Sequence, residues 1–364
     1  MHRAKRADRV LLLSTMLILV VGLFILASAS FGVSELRFGT PYFYFRHQVI
    51  YGVLTGFLLM FFAARFHYRT WRRLAVPLMI FSLGLLLLVL FPNIGIEYGG
   101  AKRWLGIGPF SFQPSEIVKF TFIVYLAAWL DIRKKEVGSL STGLAPFLFM
   151  IGFVGFFFLL EPDIGTFGIL SIASLFLFFL GGGRISQIVI LVLLGIVFVA
   201  SLVFFEQYSA SRLFTFLNPD LDPQGAGYQI RQSLIAIGSG GIFGRGFGLS
   251  RQKFQYLPEP MGDGIFAIFA EELGFMGSIA LFGLFLVFLW RGMMIAARAP
   301  DRFSRLLASG IVSIIFVQIV VNIGAFSGVI PLTGIPLPFI SYGGSNLSML
   351  LGEIGVLLNI SRYI

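Results

Sequence analysis

The stretch VLLLSTMLILVVGLFILASASF, residues 10–31, carries no charged side chain and is long enough to cross the hydrocarbon core of a bilayer as one helix. The basic residues before it and Ala27-Ser28-Ala29 at its end imitate a secretory leader. Its apolar run is longer than a leader core, so an uncleaved first span is predicted. Comparable runs lie at 48–64, 74–91, 115–130, 144–160, 166–180, 185–205, 264–290, 306–326 and 340–360, which makes ten expected spans with the sixth short. Of the 364 residues 57% are hydrophobic and 12% charged, about half the charge of a soluble domain. The class is therefore an all-α polytopic membrane protein, read as one transmembrane domain over residues 1–364.

Loop charge gives the orientation. With the N-terminus in the cytoplasm, Arg65, Arg69, Arg72, Arg73, Arg133, Lys134, Lys135, Arg298 and Arg302 all fall inside. That excess of Lys and Arg puts both ends in the cytoplasm. Among the acids only Asp8, Asp131, Glu136 and Asp301 fall inside, so any chemistry is expected at the outer face. The net charge of +10 sits in short loops beside spans, where lipid headgroups rather than nucleic acid explain it. No cysteine is present, which removes disulfides, thiolate nucleophiles and thiolate metal sites. His2, His47 and His67 are scattered and do not make an imidazole zinc site.

Two outer connections are unusual. The segment 206–262, between spans seven and eight, is long but too rich in Ile, Leu and Phe for disorder; a helix over 228–237 is expected within it. The segment 327–345 carries Pro331, Pro336, Pro338 and Gly343-Gly344, which predicts a re-entrant turn supported by protein.

Polar residues gather at the outer face. Residues 256–275, YLPEPMGDGIFAIFAEELGF, open with Pro258 and Pro260, present Glu259 and Asp263, and keep Glu271 and Glu272 in an apolar helix. Carboxylates at the mouth of a span are costly and point to function. Further groups are Lys102 and Arg103 after span three, Glu116 and Lys119 in span four, Glu161 and Asp163 between spans five and six, and Arg245, Arg251 and Lys253 before the Asp263 stretch. The cations suit an anionic headgroup, above all a diphosphate, and one carboxylate suits proton transfer. Glu116 and Lys119 share a helix face, so they serve either as a structural ion pair or as substrate groups. The glycine-rich 238–248 run follows no strand and is no dinucleotide fingerprint; no GxxxxGK[ST] is present, so the substrate or a gradient must supply the energy.

The motifs GLFILASAS, GAKRWLGIGPFSFQPSEIVK, LEPDIGT, AGYQIRQSLIAIGSGGIFGRGFGLSRQKFQYLPEP, IFAIFAEELG, TGIPLPFISYGGS and LLNISR, in that order, resemble the SEDS family of FtsW, RodA and SpoVE along nearly the whole chain. SRQKFQYLPEP is most like the FtsW and SpoVE branch; RodA-type chains usually carry a GTQ-like sequence at Leu249-Ser250-Arg251. The resemblance implies ten spans and a peptidoglycan glycosyltransferase that polymerises lipid II at the bacterial cytoplasmic membrane, for septal synthesis in division. It further implies a class B penicillin-binding protein and other divisome membrane proteins as partners, and no nucleic acid. The family's essential aspartate, usually within HTDF, aligns with Asp263 in Met261-Gly262-Asp263-Gly264. Its neighbours differ, so only the aspartate is carried over as catalytic. Lys102, Arg103, Glu116, Lys119, Glu161, Asp163, Arg251, Lys253 and Glu259 are expected to bind substrate. A divalent cation, Mg or Mn, is left open, and no other cofactor is expected. Two rival readings remain: a RodA-like elongation polymerase, and a flippase for lipid-linked precursors built around Glu116, Lys119 and Glu353.

Overall fold

A computed structural model describes residues 6–91, 94–98, 101–107, 110–205, 207–254 and 256–364. His2, Gly100 and the Gly108-Pro109 pair of the quoted motifs lie outside these residues. The helices are α1 Arg9–Phe38, α2 Phe43–Arg65, α3 Tyr68–Leu90, α4 Pro114–Ile132, α5 Leu140–Leu160, α6 Ile164–Leu180, α7 Ile185–Phe205, α8 Gln207–Leu217, α9 Ala226–Gly240, α10 Ile265–Arg298, α11 Arg302–Phe326 and α12 Gly344–Ser361. A helix stands at each of the ten stretches expected to span. Seven of these, α1, α2, α3, α5, α7, α10 and α11, are long and apolar enough to cross a membrane by length and composition.

Burial orders the bundle. The apolar window of α11 is 78% buried and that of α7 only 11%, so α11 is the hub and α7 lies on the rim. Large apolar side chains such as Leu13, Phe24, Phe149 and Ile185 are exposed, as a lipid-facing surface requires. Polar caps lock the face where the chain ends lie. Asp8 caps α1 through the Leu11 N–H (2.9 Å) and accepts two bonds from Arg291 Nε of α10 (3.0 and 2.8 Å). Its own N–H donates to Ser361 Oγ of α12 (3.0 Å). Asp301 forms a capping box with Ser304 and accepts a bond from Tyr68 (2.9 Å), which joins α3 to α11.

One region departs from the all-helical expectation. Gly95–Tyr98, Ala101–Ile107 and Phe110–Phe112 form a three-stranded antiparallel sheet, β1-β2-β3, with Gly95 opposite Leu105 and Leu105 opposite Phe112. The strands are too short for their period-two pattern to stand out between long apolar helices. The long 206–262 segment holds α8 and α9, and α9 contains the expected 228–237 helix.

Helix α10 is broken at Gly274, whose φ of 67° and ψ of −164° are not helical. The broken turn is paired by the glycine-rich loop. Phe275 and Met276 N–H donate to Gly241 and Ile242 carbonyls (2.9 and 3.0 Å), while Arg245 and Gly246 N–H donate to Glu271 and Glu272 carbonyls (3.0 Å each). A Cβ on Gly274 would lie 2.2 Å from Gly244 N, in a backbone region unfavourable to L side chains. Gly274→Ala is therefore expected to destabilise the chain by on the order of 3 kcal/mol, read as a lowered Tm in detergent.

Candidate active site at the Asp263 loop

Asp263 stands in a tight turn just before α10. The N–H groups of Gly262 and Gly264 both donate to the Glu259 carbonyl (3.1 and 3.2 Å), and Glu259 itself takes a positive φ of 48°. Two other segments hold this turn by its main chain. Asn322 Nδ2 of α11 donates to the Asp263 carbonyl (2.9 Å) and to the Ile335 carbonyl (2.7 Å). Tyr342 N–H donates to the Met261 carbonyl (2.8 Å), and Ser341 Oγ donates to the Gly262 carbonyl (2.7 Å). The expected re-entrant segment is thus buried backbone in protein, with Leu337, Phe339 and Ile340 at most 2% exposed.

These bonds fix the backbone of Asp263 and leave its carboxylate for other work. The residue is half-buried, and its Oδ1 is a buried atom with no hydrogen-bond donor among the described residues. Burial, then the negative charge of Glu259, raises its pKa from 3.8 to about 7, with Arg212 opposing the rise. Gly334 lies beside it: a Cβ there would come 4.0 Å from Asp263 Oδ2.

A cavity of about 350 Å³ opens next to this turn, between α6, α7, α8 and residues 330–335. Arg103 of β2, Asp163 at the start of α6, Arg212 of α8, Thr333 and Gly334 line it. Arg103 Nε donates to the Glu161 carbonyl (3.1 Å) and its Nη2 to the Pro162 carbonyl. Arg212 Nη1 donates to the Leu332 carbonyl (3.1 Å). Two guanidinium groups and the Asp163 carboxylate therefore line one space of largely apolar walls, and Asp263 lies beside it next to Gly334. That arrangement suits a lipid carrying a diphosphate.

The other expected residues fall into three places. Glu161 is 1% exposed, and burial, then the charge of Asp163, pushes its pKa up to about 8. Asp163 caps α6 through the Thr166 N–H (3.3 Å) and accepts from Gln113 Nε2 (3.3 Å), one residue before α4. Further into α4, Lys119 pairs with Glu116 at 2.9 Å, and Asn346 of α12 donates to the same Glu116 oxygen (2.9 Å). Both members of the pair are buried, and Glu353 of α12 is buried with them.

Three residues sit apart from this group. Lys102 is exposed on the sheet opposite Glu97. Arg251 is exposed, and its N–H donates to Glu271 (3.2 Å). Lys253 is 3% exposed and bonded to Glu272 (3.0 Å), Ser28 (2.9 Å) and the Gly248 carbonyl (2.6 Å). Glu271 and Glu272, read from sequence as acids at a membrane mouth, instead accept main-chain N–H groups from Gly248, Ser250, Arg251 and Gln252. They clamp the loop that leads to Asp263. Sequence reading missed Arg212 and Asn322. Arg212 lies in the long outer segment with no motif around it, whereas Asn322 was visible as a lone amide in an apolar span. Among the described residues no three acidic or imidazole side chains gather as a metal cluster.

The fold and this site define a polytopic helical membrane protein with an acid and paired arginines at one end of the bundle. Residues 8–364 match the cell cycle protein family of FtsW, RodA and SpoVE, and the chain belongs to that family. It is 43% identical to stage V sporulation protein E of Bacillus subtilis, over 98% of this chain and 97% of that protein. It is 40% identical to a probable peptidoglycan glycosyltransferase FtsW of Coxiella burnetii, over 97% and 96%. Among solved structures it resembles a chain from work on polymerization and crosslinking by a peptidoglycan synthase complex, with TM-score 0.81, 28% identity and 98% of each chain covered. The crystal structure of Thermus thermophilus rod shape determining protein RodA matches with TM-score 0.71 and 28% identity, over 98% and 97%.

Proposed function

We propose that this chain polymerises lipid II into glycan strands, with Asp263 as general base, for septal wall synthesis in division. The chain is a peptidoglycan glycosyltransferase, in keeping with its family and with FtsW relatives at 35–40% identity along its length. The observation that carries the mechanism is Asp263 itself. It is a carboxylate pinned by its backbone, with an undonated oxygen and a pKa near 7, beside a cavity lined by Arg103 and Arg212.

The growing strand, linked to undecaprenyl diphosphate, is the donor. The 4-hydroxyl of the acceptor's GlcNAc attacks C1 of the donor's terminal MurNAc. The C1–oxygen bond to the diphosphate breaks as the new C1–O4 bond forms, with inversion to a β-1,4 link. The hydroxyl proton passes to Asp263, and Arg103 and Arg212 stabilise the negative charge that collects on the departing diphosphate. That linkage supplies the energy, so no ATP site is needed. A class B penicillin-binding protein serves as the crosslinking partner, at the septal region of the cytoplasmic membrane.

The test is polymerisation of purified lipid II by the reconstituted chain with its transpeptidase, followed against pH. A base must be deprotonated to act, so the rate is expected to be flat above pH 8 and to fall about tenfold per pH unit below pH 6. Stability runs the other way. Between the unfolded value of 3.8 and the folded value of about 7 the folded chain holds a proton that the unfolded chain has lost, so stability falls as pH rises through that window. A rate that does not change from pH 5 to 8 would remove Asp263 from proton transfer. Lipid translocation in liposomes without any polymer would favour the flippase.

A further inference from the structure

We propose that His47 and Gln48, near the start of α2, are positioning residues for Asp263. The inference rests on the general-base reading and adds to it the part of the fold that keeps the base in place. Gln48 is an amide in an apolar helix, 1% exposed, and both ends of its side chain are in use. Its Nε2 donates to the Ser341 carbonyl (3.2 Å), and its Oε1 accepts the Gly343 N–H (3.0 Å). Beside it, His47 Nδ1 shares a hydrogen bond with the Tyr342 hydroxyl (2.9 Å). Two consecutive residues of one helix therefore grip three consecutive residues of the re-entrant segment.

What they grip is what carries Asp263. Ser341 Oγ accepts the Leu337 N–H (2.8 Å) and donates to the Gly262 carbonyl, while Tyr342 N–H donates to the Met261 carbonyl. The Asp263 turn hangs between these two residues and Asn322 of α11, so it is fixed no better than the backbone of 341–343. That stretch runs into Gly343-Gly344, where the chain's own dihedral preferences restrain it least, and bonds from α2 supply the restraint. The two elements meet closely: a Cβ on Gly344 would lie 3.3 Å from the Tyr51 carbonyl oxygen, and one on Gly52 3.1 Å from Leu347 Cδ2. Helix α2 is π-wound over Gln48–Leu54 at this contact, a rare winding that recurs at functional sites. A general base must stay within hydrogen-bond reach of the proton it takes, and a misplacement of about 1 Å can cost about 10²-fold in rate.

The experiment measures kcat and KM for lipid II with the reconstituted full chain and its transpeptidase, for Gln48→Met and Tyr342→Phe, alone and combined with Asp263→Asn. Gln48→Met keeps the length of the side chain and is expected to lower kcat by about 10²-fold. Its KM is expected to stay within about threefold of wild type, because the cavity arginines are held by other carbonyls, those of Glu161, Pro162 and Leu332. Tyr342→Phe keeps its ring against Tyr44, loses the bond to His47, and is expected to lower kcat about fivefold, the worth of one hydrogen bond. Lost hydrogen bonds lower Tm whether an amide positions the base or only serves the fold, so kinetics decide. On top of Asp263→Asn, Gln48→Met is expected to change the residual rate by less than about threefold, because residues that act as a unit are not additive. The same loss repeated in that background, or a KM raised as far as kcat is lowered, overturns the proposal in favour of an amide that serves the fold alone. Wild-type kcat in Gln48→Met, with polymer still lost in Asp263→Asn, overturns the proposal and leaves the general-base reading standing. If Gln48→Met does not fold, Tyr342→Phe decides, and an unchanged kcat there overturns the proposal. Polymerisation by Asp263→Asn at the wild-type rate overturns the general-base reading itself, and the positioning role with it.

Discussion

Asp263→Asn is expected to leave the chain folded and to lower lipid II polymerisation by about 10²- to 10⁴-fold, the usual worth of a positioned general base. The fold should survive because its anchors are main-chain bonds. Asn322, Ser341 and Tyr342 hold the carbonyls of Asp263, Gly262 and Met261 and do not touch the carboxylate. The amide is nearly the same size, and it removes a charge from a place where burial and Glu259 both disfavour one. Above pH 7 the variant should thus be at least as stable as wild type, with the sign set by the raised pKa. Loss of polymer with an unchanged or higher Tm is the result that assigns the chemistry to this oxygen. Polymerisation at the wild-type rate would mean that the proton leaves by another route.

How much of this was legible in the sequence depends on the range of the interaction. The helices were legible, because a long apolar run is a local property and every expected stretch holds a helix, seven of them long and apolar enough to cross a membrane. The Asp263 loop stood out for its two prolines and its acids, two of which, Glu271 and Glu272, turn out to accept main-chain N–H groups of the preceding loop. The sheet over 95–112 was not, since three short strands carry little periodicity. The break at Gly274 was hidden too. Nothing in IFAIFAEELGFMG announces that its freed groups will pair with Gly241 and Ile242, some thirty residues earlier. The same distance hid Arg212, which lines the cavity together with residues of α7 and the 330–335 segment. Burial separated look-alikes that sequence could not. Arg103 and Lys102 are adjacent, yet Arg103 lines the cavity while Lys102 is exposed on the sheet.

Lys253 is where the sequence reading and the geometry pull furthest apart, and its substitution separates them. As a substrate group, Lys253→Met should keep Tm and lose polymerisation. The structure predicts the reverse order of events. Lys253 Nζ is buried and held by Glu272, Ser28 and the Gly248 carbonyl, and Glu272 is 0% exposed. Removing the ammonium leaves that carboxylate without its buried counter-charge, a change worth about 3–5 kcal/mol. The loop from Gly248 to Gln252 hangs on the same two glutamates, so its order should fail with the pair, and the Asp263 turn that follows should fail with it. Lys253→Met is therefore expected to show a large fall in Tm and yield, with polymerisation lost as a consequence. Adding Glu272→Gln should restore part of both, because the neutral amide oxygen still accepts the loop N–H groups and no unpaired charge remains. A double variant as unstable as the single one would break this account. A single variant with full Tm and no activity would return Lys253 to the substrate.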